Sequence, residues 1–194
     1  MVFMSKVIDK KGAEDAIFEL LKYIGEDPSR EGLQDTPSRV IRSYQEFFCG
    51  YQQDPAEPLK KTFKFEKDYN EIVIVKDINV FSHCEHHMVP IIGVAHVAYI
   101  PNDQIVGLSK LARVVNIFAR RLQTQERLTL EIAETIQTNL APKGVAVMIN
   151  AVHQCMTSRG VMNIDSSTTT SHYIGLFSKD IKARKEFLEL TRGG

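Results

Sequence analysis

An α+β fold follows from three features of the sequence. Apolar residues recur at helical spacing through roughly the first fifty positions. From Lys61 the chain alternates and becomes β-branched, and a second helical stretch later separates these segments from a further strand. Helices set ahead of strands, with a helical pair between strands, make an α+β architecture rather than an alternating one.

The elements follow in chain order. Residues 10–25 place Ala13, Ala16, Ile17, Leu20, Leu21 and Ile24 on one face, with Gly25 positioned to end the helix. Asp27 to Gly32 reads as a loop. Thr36 followed by Pro37 reads as a cap and a first-turn proline, and Val40, Ile41, Tyr44, Phe47 and Phe48 continue an apolar stripe. Cys49 falls on that stripe and is expected in the core. Gln52 to Pro58 is a polar, proline-containing linker. Residues 1–60 are therefore expected to be an N-terminal helical region, and residues 61–194 one functional domain.

Strands are expected at Thr62–Phe65, Glu71–Val75, Ile78–Phe81 and Gly93–Ile100, with polar breaks at Asp68-Tyr69-Asn70 and Pro101-Asn102-Asp103. Ser109 opens a helical stretch with Leu111, Val114, Val115, Phe118 and Leu122 on one side. Thr129 is a candidate cap for a second helix carrying Leu130, Ile132, Ala133 and Ile136. Pro142-Lys143-Gly144 reads as a turn before a strand from Val145 to about Cys155, and Lys182–Leu190 as a last helix.

Composition narrows the class of partner. The 194 residues are 43% hydrophobic and 25% charged, with 24 basic and 24 acidic side chains. A balanced chain has no overall field to recruit nucleic acid or an acidic membrane, so any polyanion must meet a local basic cluster. No apolar run reads as a signal peptide or a span. Three cysteines do not make a disulfide scaffold, which points to a cytoplasmic setting with free thiols.

Those thiols define the strongest constellation. Cys84 and His87 are three apart, so one tight turn can aim both at a common point. His153 and Cys155, two apart on the predicted strand, share a sheet face. Cys84, His87 and Cys155 form a Cys₂His set that suits zinc, and a site with three protein ligands keeps a fourth position open for catalysis. Two thiolates neutralise Zn²⁺ and acidify its water less than three imidazoles do, so a separate proton carrier is needed. His86 and His153 are placed for that role, or for orienting a ligand.

A second constellation suits a nucleotide. Ser109-Lys110-Leu111-Ala112-Arg113 opens a helix with a cap hydroxyl, free N–H groups and two cations one turn apart. Arg159 and Arg39 can add charge. No phosphate-binding Gly-x-x-x-x-Gly-Lys loop occurs, so a triphosphate here would be a handle and not the reacting group. Gln125-Glu126 is expected in a turn. Its carboxylate could accept the paired N1–H and amino donors of guanine, an edge that adenine lacks, although by residue type alone an ordinary solvated Glu is the simpler reading.

Together these segments resemble the GTP cyclohydrolase I family. The resemblance runs through Arg30-Glu31-Gly32-Leu33 with Asp35-Thr36-Pro37 and Arg39, Cys84-Glu85-His86-His87, and Gly93 to Pro101. It continues through Gly107-Leu108-Ser109-Lys110-Leu111-Ala112-Arg113, Phe118 to Gln123 with Gln125-Glu126-Arg127-Leu128-Thr129, Pro142 to Val147, and His153-Gln154-Cys155-Met156 with Arg159-Gly160-Val161. It implies the tunnelling fold, an antiparallel sheet with an outer helical pair, and a homo-oligomer, typically a decamer, with active sites between subunits. It also implies zinc on Cys84, His87 and Cys155, and zinc-activated water attacking C8 of GTP. Formate is then lost, and the sugar rearranges to give 7,8-dihydroneopterin triphosphate, the entry compound for folate and other pterins. His86 and His153 would move protons, Glu126 with Gln125 beside it would anchor guanine, and Ser109, Lys110, Arg113, Arg159 and Arg39 would hold the triphosphate. Met162–Asp165 and His172–Ile174 depart from the family pattern, which bears on affinity or subunit packing and not on the reaction class. Two relatives with the same fold fit less well: a nitrile reductase needs a free thiol nucleophile, and a pyruvoyl-tetrahydropterin synthase needs three histidines on zinc. A non-enzymatic zinc module would need a fourth ligand.

Overall fold

Asp9 starts the first helix by accepting the Gly12 N–H on its side chain at 2.8 Å, and α1 runs Lys10–Tyr23. It ends as the sequence predicts, with Gly25 at φ 94° and two backbone bonds closing the turn, Gly25 N–H to Lys22 O and Glu26 N–H to Leu21 O. The computed structural model describes residues 9–64 and 69–192, which divide into two units, Met1–Phe48 and Cys49–Gly194. The first unit holds α1 and α2 (Thr36–Phe47). Asp35 occupies the α2 cap position, so Thr36 and Pro37 are already its first helical residues and Thr36 is not the cap.

The second unit begins with a 3₁₀ turn, Cys49–Gln52, so Cys49 does not ride a helix stripe and is only half-buried. The expected linker carries another such turn, Glu57–Leu59, which buries Leu59. Gly50 is needed where this connection meets the helices. A Cβ there would lie 2.1 Å from Ile117 O, and its N–H donates to Arg120 O at 3.1 Å.

A five-stranded sheet follows the order β5–β2–β3–β6–β7. Its members are β2 (Val73–Cys84), β3 (Pro90–Ile100), β5 (Leu122–Gln123), β6 (Gly144–His153) and β7 (Thr168–Gly175). Pairing is antiparallel except for the two-residue β5, which runs parallel to β2. A separate ribbon pairs β1 (Thr62–Lys64) with β4 (Gln104–Val106). The expected strands 71–75 and 78–81 are one strand, interrupted by a bulge between Val75 and Ile78 where Asp77 sits at φ 54°. Of the expected break at 68–70, Asp68 lies outside the described residues.

Alternate residues of β3 serve two cores. Ala95, Val97 and Tyr99 join the main core with α3 (Leu108–Ala119) and α4 (Gln125–Leu140), through Leu111, Val114, Leu128, Ile132 and Ile136. Ala98 and Ile100 join a smaller core with Phe177 and Phe187, from α6 (Leu176–Lys179) and α7 (Ile181–Arg192). Both core helices start away from the positions expected. Gly107 caps α3, and Ser109 lies one residue inside it; Thr124 caps α4 by accepting the Arg127 N–H, while Thr129 is buried mid-helix with its hydroxyl on Gln125 O at 2.7 Å.

His96 is 6% exposed on β3, and its Nδ1 accepts the Asp77 N–H of the bulge at 3.3 Å. Burial pushes this imidazole below its ordinary value, and the Asp77 carboxylate offsets part of that effect. In the unfolded chain His titrates near ~6.5, so the unfolded state binds more protons as pH falls through that value, and stability drops. Chemical unfolding at pH 7.5 and 5.5 is expected to show a smaller acid loss for His96→Gln than for the unmodified chain. Equal losses would remove His96 as a source of the acid sensitivity.

Candidate metal centre

Three neighbouring strands end or begin at one end of the sheet, and the thiols sit there. β2 finishes at the buried Cys84, β3 starts at Pro90, and β6 finishes at His153, with His83 opposite Pro90 and Ile91 opposite His153. The link from β2 to β3 is a tight turn in which Cys84 O accepts both the His87 and Met88 N–H groups, with Met88 at φ 56°. That turn swings His87 back toward Cys84, leaving Nδ1 3.8 Å from the Cys84 sulfur. Cys155 is not on the strand as predicted. β6 gives way to a single helical turn, α5 (Gln154–Thr157), and this turn carries it.

The ligand atoms of Cys84, His87 and Cys155 all lie within 4.8 Å of one another. The donor chemistry fits a divalent cation. Burial, together with the adjacent Cys84 sulfur, pushes the Cys155 thiol above its ordinary value. A second thiolate is therefore disfavoured until a positive charge lies between the two. Cys49, half-buried, is not among the donors that meet there.

The His153 side chain reaches α4, where its Nε2 meets Gln125 Oε1 at 2.7 Å. Gln125 is 1% exposed, and its amide nitrogen donates to Ile149 O, Thr168 O and Thr170 Oγ1. With the amide nitrogen committed to those acceptors, Oε1 must accept, so Nε2 of His153 carries the hydrogen and Nδ1 the lone pair. Burial holds the imidazole below its ordinary value, and the charge of Glu126 opposes that shift. In its neutral form His153 thus donates from Nε2 and keeps its lone pair on Nδ1. Gln125, expected beside the guanine, has a buried side chain that hydrogen-bonds His153. Thr129 and Thr170, whose hydroxyls meet at 2.6 Å, brace that amide. Nothing local in the sequence marks Thr170, because its partners come from another element.

Glu126 does not sit in a turn but in the first turn of α4, exposed beside Gln125. It lines a concavity of about 310 Å³ with Thr129, Leu130, Thr170, Ser171 and His172. Lys110 and Arg113 project from α3 into a different cleft of about 550 Å³, which Lys60, Lys61, Asp54 and Glu57 also line. Lys60 is ion-paired there with Glu57. Ser109 is exposed on the first turn of α3. Arg159 donates to His87 Nε2 at 2.7 Å, which brings it to the metal turn. His86 is exposed on that turn, with Nδ1 3.8 Å from the Cys84 sulfur. Arg39 belongs to the helical unit, where it pairs with Asp35 at 3.1 Å.

The family model described as GTP cyclohydrolase I matches residues 13–192. A GTP cyclohydrolase 1 of Pelagibacter ubique is 52% identical over 184 residues, which is 95% of this chain and 91% of the relative. One from Sinorhizobium fredii is 53% identical over 184 residues, 95% of this chain and 90% of the relative. One from Brucella suis is 55% identical over 183 residues, 94% and 86% respectively. Among solved structures, the archaeosine synthase QueF-Like in the apo form is similar over 56% of this chain and 97% of that one, at TM-score 0.44 and 15% identity.

Proposed function

Because the chain belongs to the GTP cyclohydrolase I family, we propose that it hydrolyses GTP to formate and 7,8-dihydroneopterin triphosphate, with zinc held by Cys84, His87 and Cys155. The observation that carries this reading is the convergence of those three donors within 4.8 Å, with His153 bonded to Gln125, the residue that precedes Glu126 in the first turn of α4. Zinc, when bound, supplies Lewis acidity and a more acidic water at neutral pH.

The protein's own groups do the rest. Glu126 accepts the N1–H and amino hydrogens of guanine, which selects against adenine. His153 takes a proton at Nδ1 as a first water adds at C8 and returns it as the C8–N9 bond breaks; a second water then adds to the formyl group left on N7, and formate leaves as that C–N bond breaks. His86, on the same turn as two ligands, exchanges protons with the purine nitrogens. Lys110, Arg113, Arg159 and Arg39 offset the charge of the triphosphate and Ser109 donates a hydrogen bond to it, so that it remains uncleaved while the ribose rearranges and closes the second ring.

The reading includes a tunnelling-fold catalytic domain at residues 61–194 and a homo-oligomer, a decamer, whose active sites lie between subunits. Two observations support sharing. The basic cleft and the Glu126 concavity have no lining residue in common. Lys110 also lies near the far end of α3 from the link that leads to Glu126, roughly 15 Å of helix away. A second copy brings such groups together around one GTP. Among the described residues no helix is long and apolar enough to cross a membrane, and a cytoplasmic location fits free thiols and a nucleotide substrate.

The test is to incubate purified protein with GTP and follow formate and pterin fluorescence before and after metal chelation, alongside Glu126→Gln. Turnover is expected to vanish on chelation and return with zinc. Glu126→Gln is expected to keep its metal and to raise KM for GTP about 10- to 100-fold, the value of one charge-assisted contact. Full turnover by metal-free protein would sink the zinc chemistry, and an unchanged KM would remove Glu126 from the guanine site.

A further inference from the structure

Glu85 and Arg127 have no role in the scheme above, yet they join the two segments that make up the site. Glu85 lies between Cys84 and His86 in the metal turn, and Arg127 follows Glu126 in the first turn of α4. The Arg127 guanidinium meets three acceptors. Nη2 donates to Glu85 Oε2 at 2.7 Å and to Leu122 O at 2.6 Å, and Nε donates to Gln123 Oε1 at 2.9 Å. Gln123 is 1% exposed and anchored in turn, donating to Phe118 O and Glu131 Oε2. Main-chain bonds run beside these contacts: Gln123 O accepts the Glu85 N–H at 3.0 Å, and Cys84 pairs with Gln123 where β2 meets β5.

Stability does not account for such an arrangement. The pair is part-exposed, at 31% for Glu85 and 44% for Arg127, and ion pairs of that kind contribute about 0–1 kcal/mol. Geometry accounts for it better. A guanidinium is a planar fork, and two acceptors on β5 set its plane, so its remaining edge holds Glu85 in one place. The other Glu85 oxygen, Oε1, then stands 3.9 Å from His86 Nε2. One carboxylate thereby links the helix turn bearing Glu126 to the imidazole beside the ligands.

We infer that Glu85 and Arg127 are a positioning couple: they set the metal turn, and His86 on it, in register with the guanine carboxylate of Glu126. The inference rests on the function proposed above. Neither residue touches substrate or holds the metal. Their effect is on alignment, where a displacement of about 1 Å can cost on the order of 10²-fold in rate.

The test uses the full chain loaded with zinc, and in parallel with cobalt(II), as Glu85→Gln, Arg127→Met, Arg127→Lys and the Glu85→Gln/Arg127→Met double variant. The single variants are expected to keep one metal per chain and to lose about 10- to 100-fold in kcat, with KM for GTP moved less than about threefold. Arg127→Lys keeps the charge but not the fork and should recover little of the loss. The double variant should be no worse than the poorer single, because the two residues act as one unit. The cobalt absorption bands should shift in all four. Additive losses, a kcat within about twofold of the unmodified protein, or activity lost in proportion to metal would each overturn the couple. If the unmodified protein releases no formate from GTP, the proposed function fails instead. The cobalt spectrum, which needs no turnover, still decides whether Glu85 and Arg127 shape the turn: unchanged bands refute it and shifted bands support it.

Discussion

Replacing Cys155 with Ser is expected to leave a folded protein without metal and without product. The hydroxyl is a poor ligand beside Cys84 and His87, and it removes one of two thiols that a cation would neutralise together. A Lewis-acid metal supplies several kcal/mol of transition-state stabilisation, so formate release should fall by about 10³-fold or more. The fold should survive, because Cys155 is half-buried in a single helical turn and only packs against the edge of the main core. Metal content after dialysis, measured with far-ultraviolet circular dichroism, checks both halves. A variant that kept stoichiometric zinc and full turnover would take Cys155 out of the ligand set.

His153→Ala is expected to give the complementary result, with metal retained and chemistry lost. The imidazole bonds Gln125 and is not one of the three convergent donors, so its removal leaves them in place. Loss of a positioned general base should lower kcat about 10²- to 10⁴-fold. The vacated site also leaves Gln125 Oε1 buried without its partner, which should cost about 1–3 kcal/mol of stability. Rapid-quench measurement of formate, together with metal analysis, separates the outcomes. Loss of zinc from this variant would make His153 a ligand, and unimpaired turnover would move the proton-transfer role to His86.

The two variants divide the site along a line that also divides what the sequence reveals. Cys84 and His87 are legible as a pair because one turn of four residues suffices to bring them together, and that geometry is local. Cys155 is legible by chemistry, as the remaining cysteine near a histidine, but the expected strand is wrong there. The chain leaves β6 at His153, whose partner Ile91 is one residue from the start of β3, and the ladder runs out. The starts of α3 and α4 were misplaced for a related reason. Thr124 takes the α4 cap, and the earlier start brings Leu128 onto the helix to join Ile132 and Ile136 in the core. The short strands β4 and β5 carry too few residues for a period to register.

Sequence alone determined the α+β class, the Cys₂His donor set, the neighbouring imidazoles and the family resemblance, because each depends on residue type and near spacing. Tertiary structure decided which partners those side chains take. It turned Gln125 inward to orient His153, set Glu126 on a helix start, carried Lys110 and Arg113 to a separate cleft, and gave Glu85 its partner in Arg127. These are contacts between elements far apart in the chain. They are chosen by which apolar faces pack together, a global balance that no short stretch of residues contains.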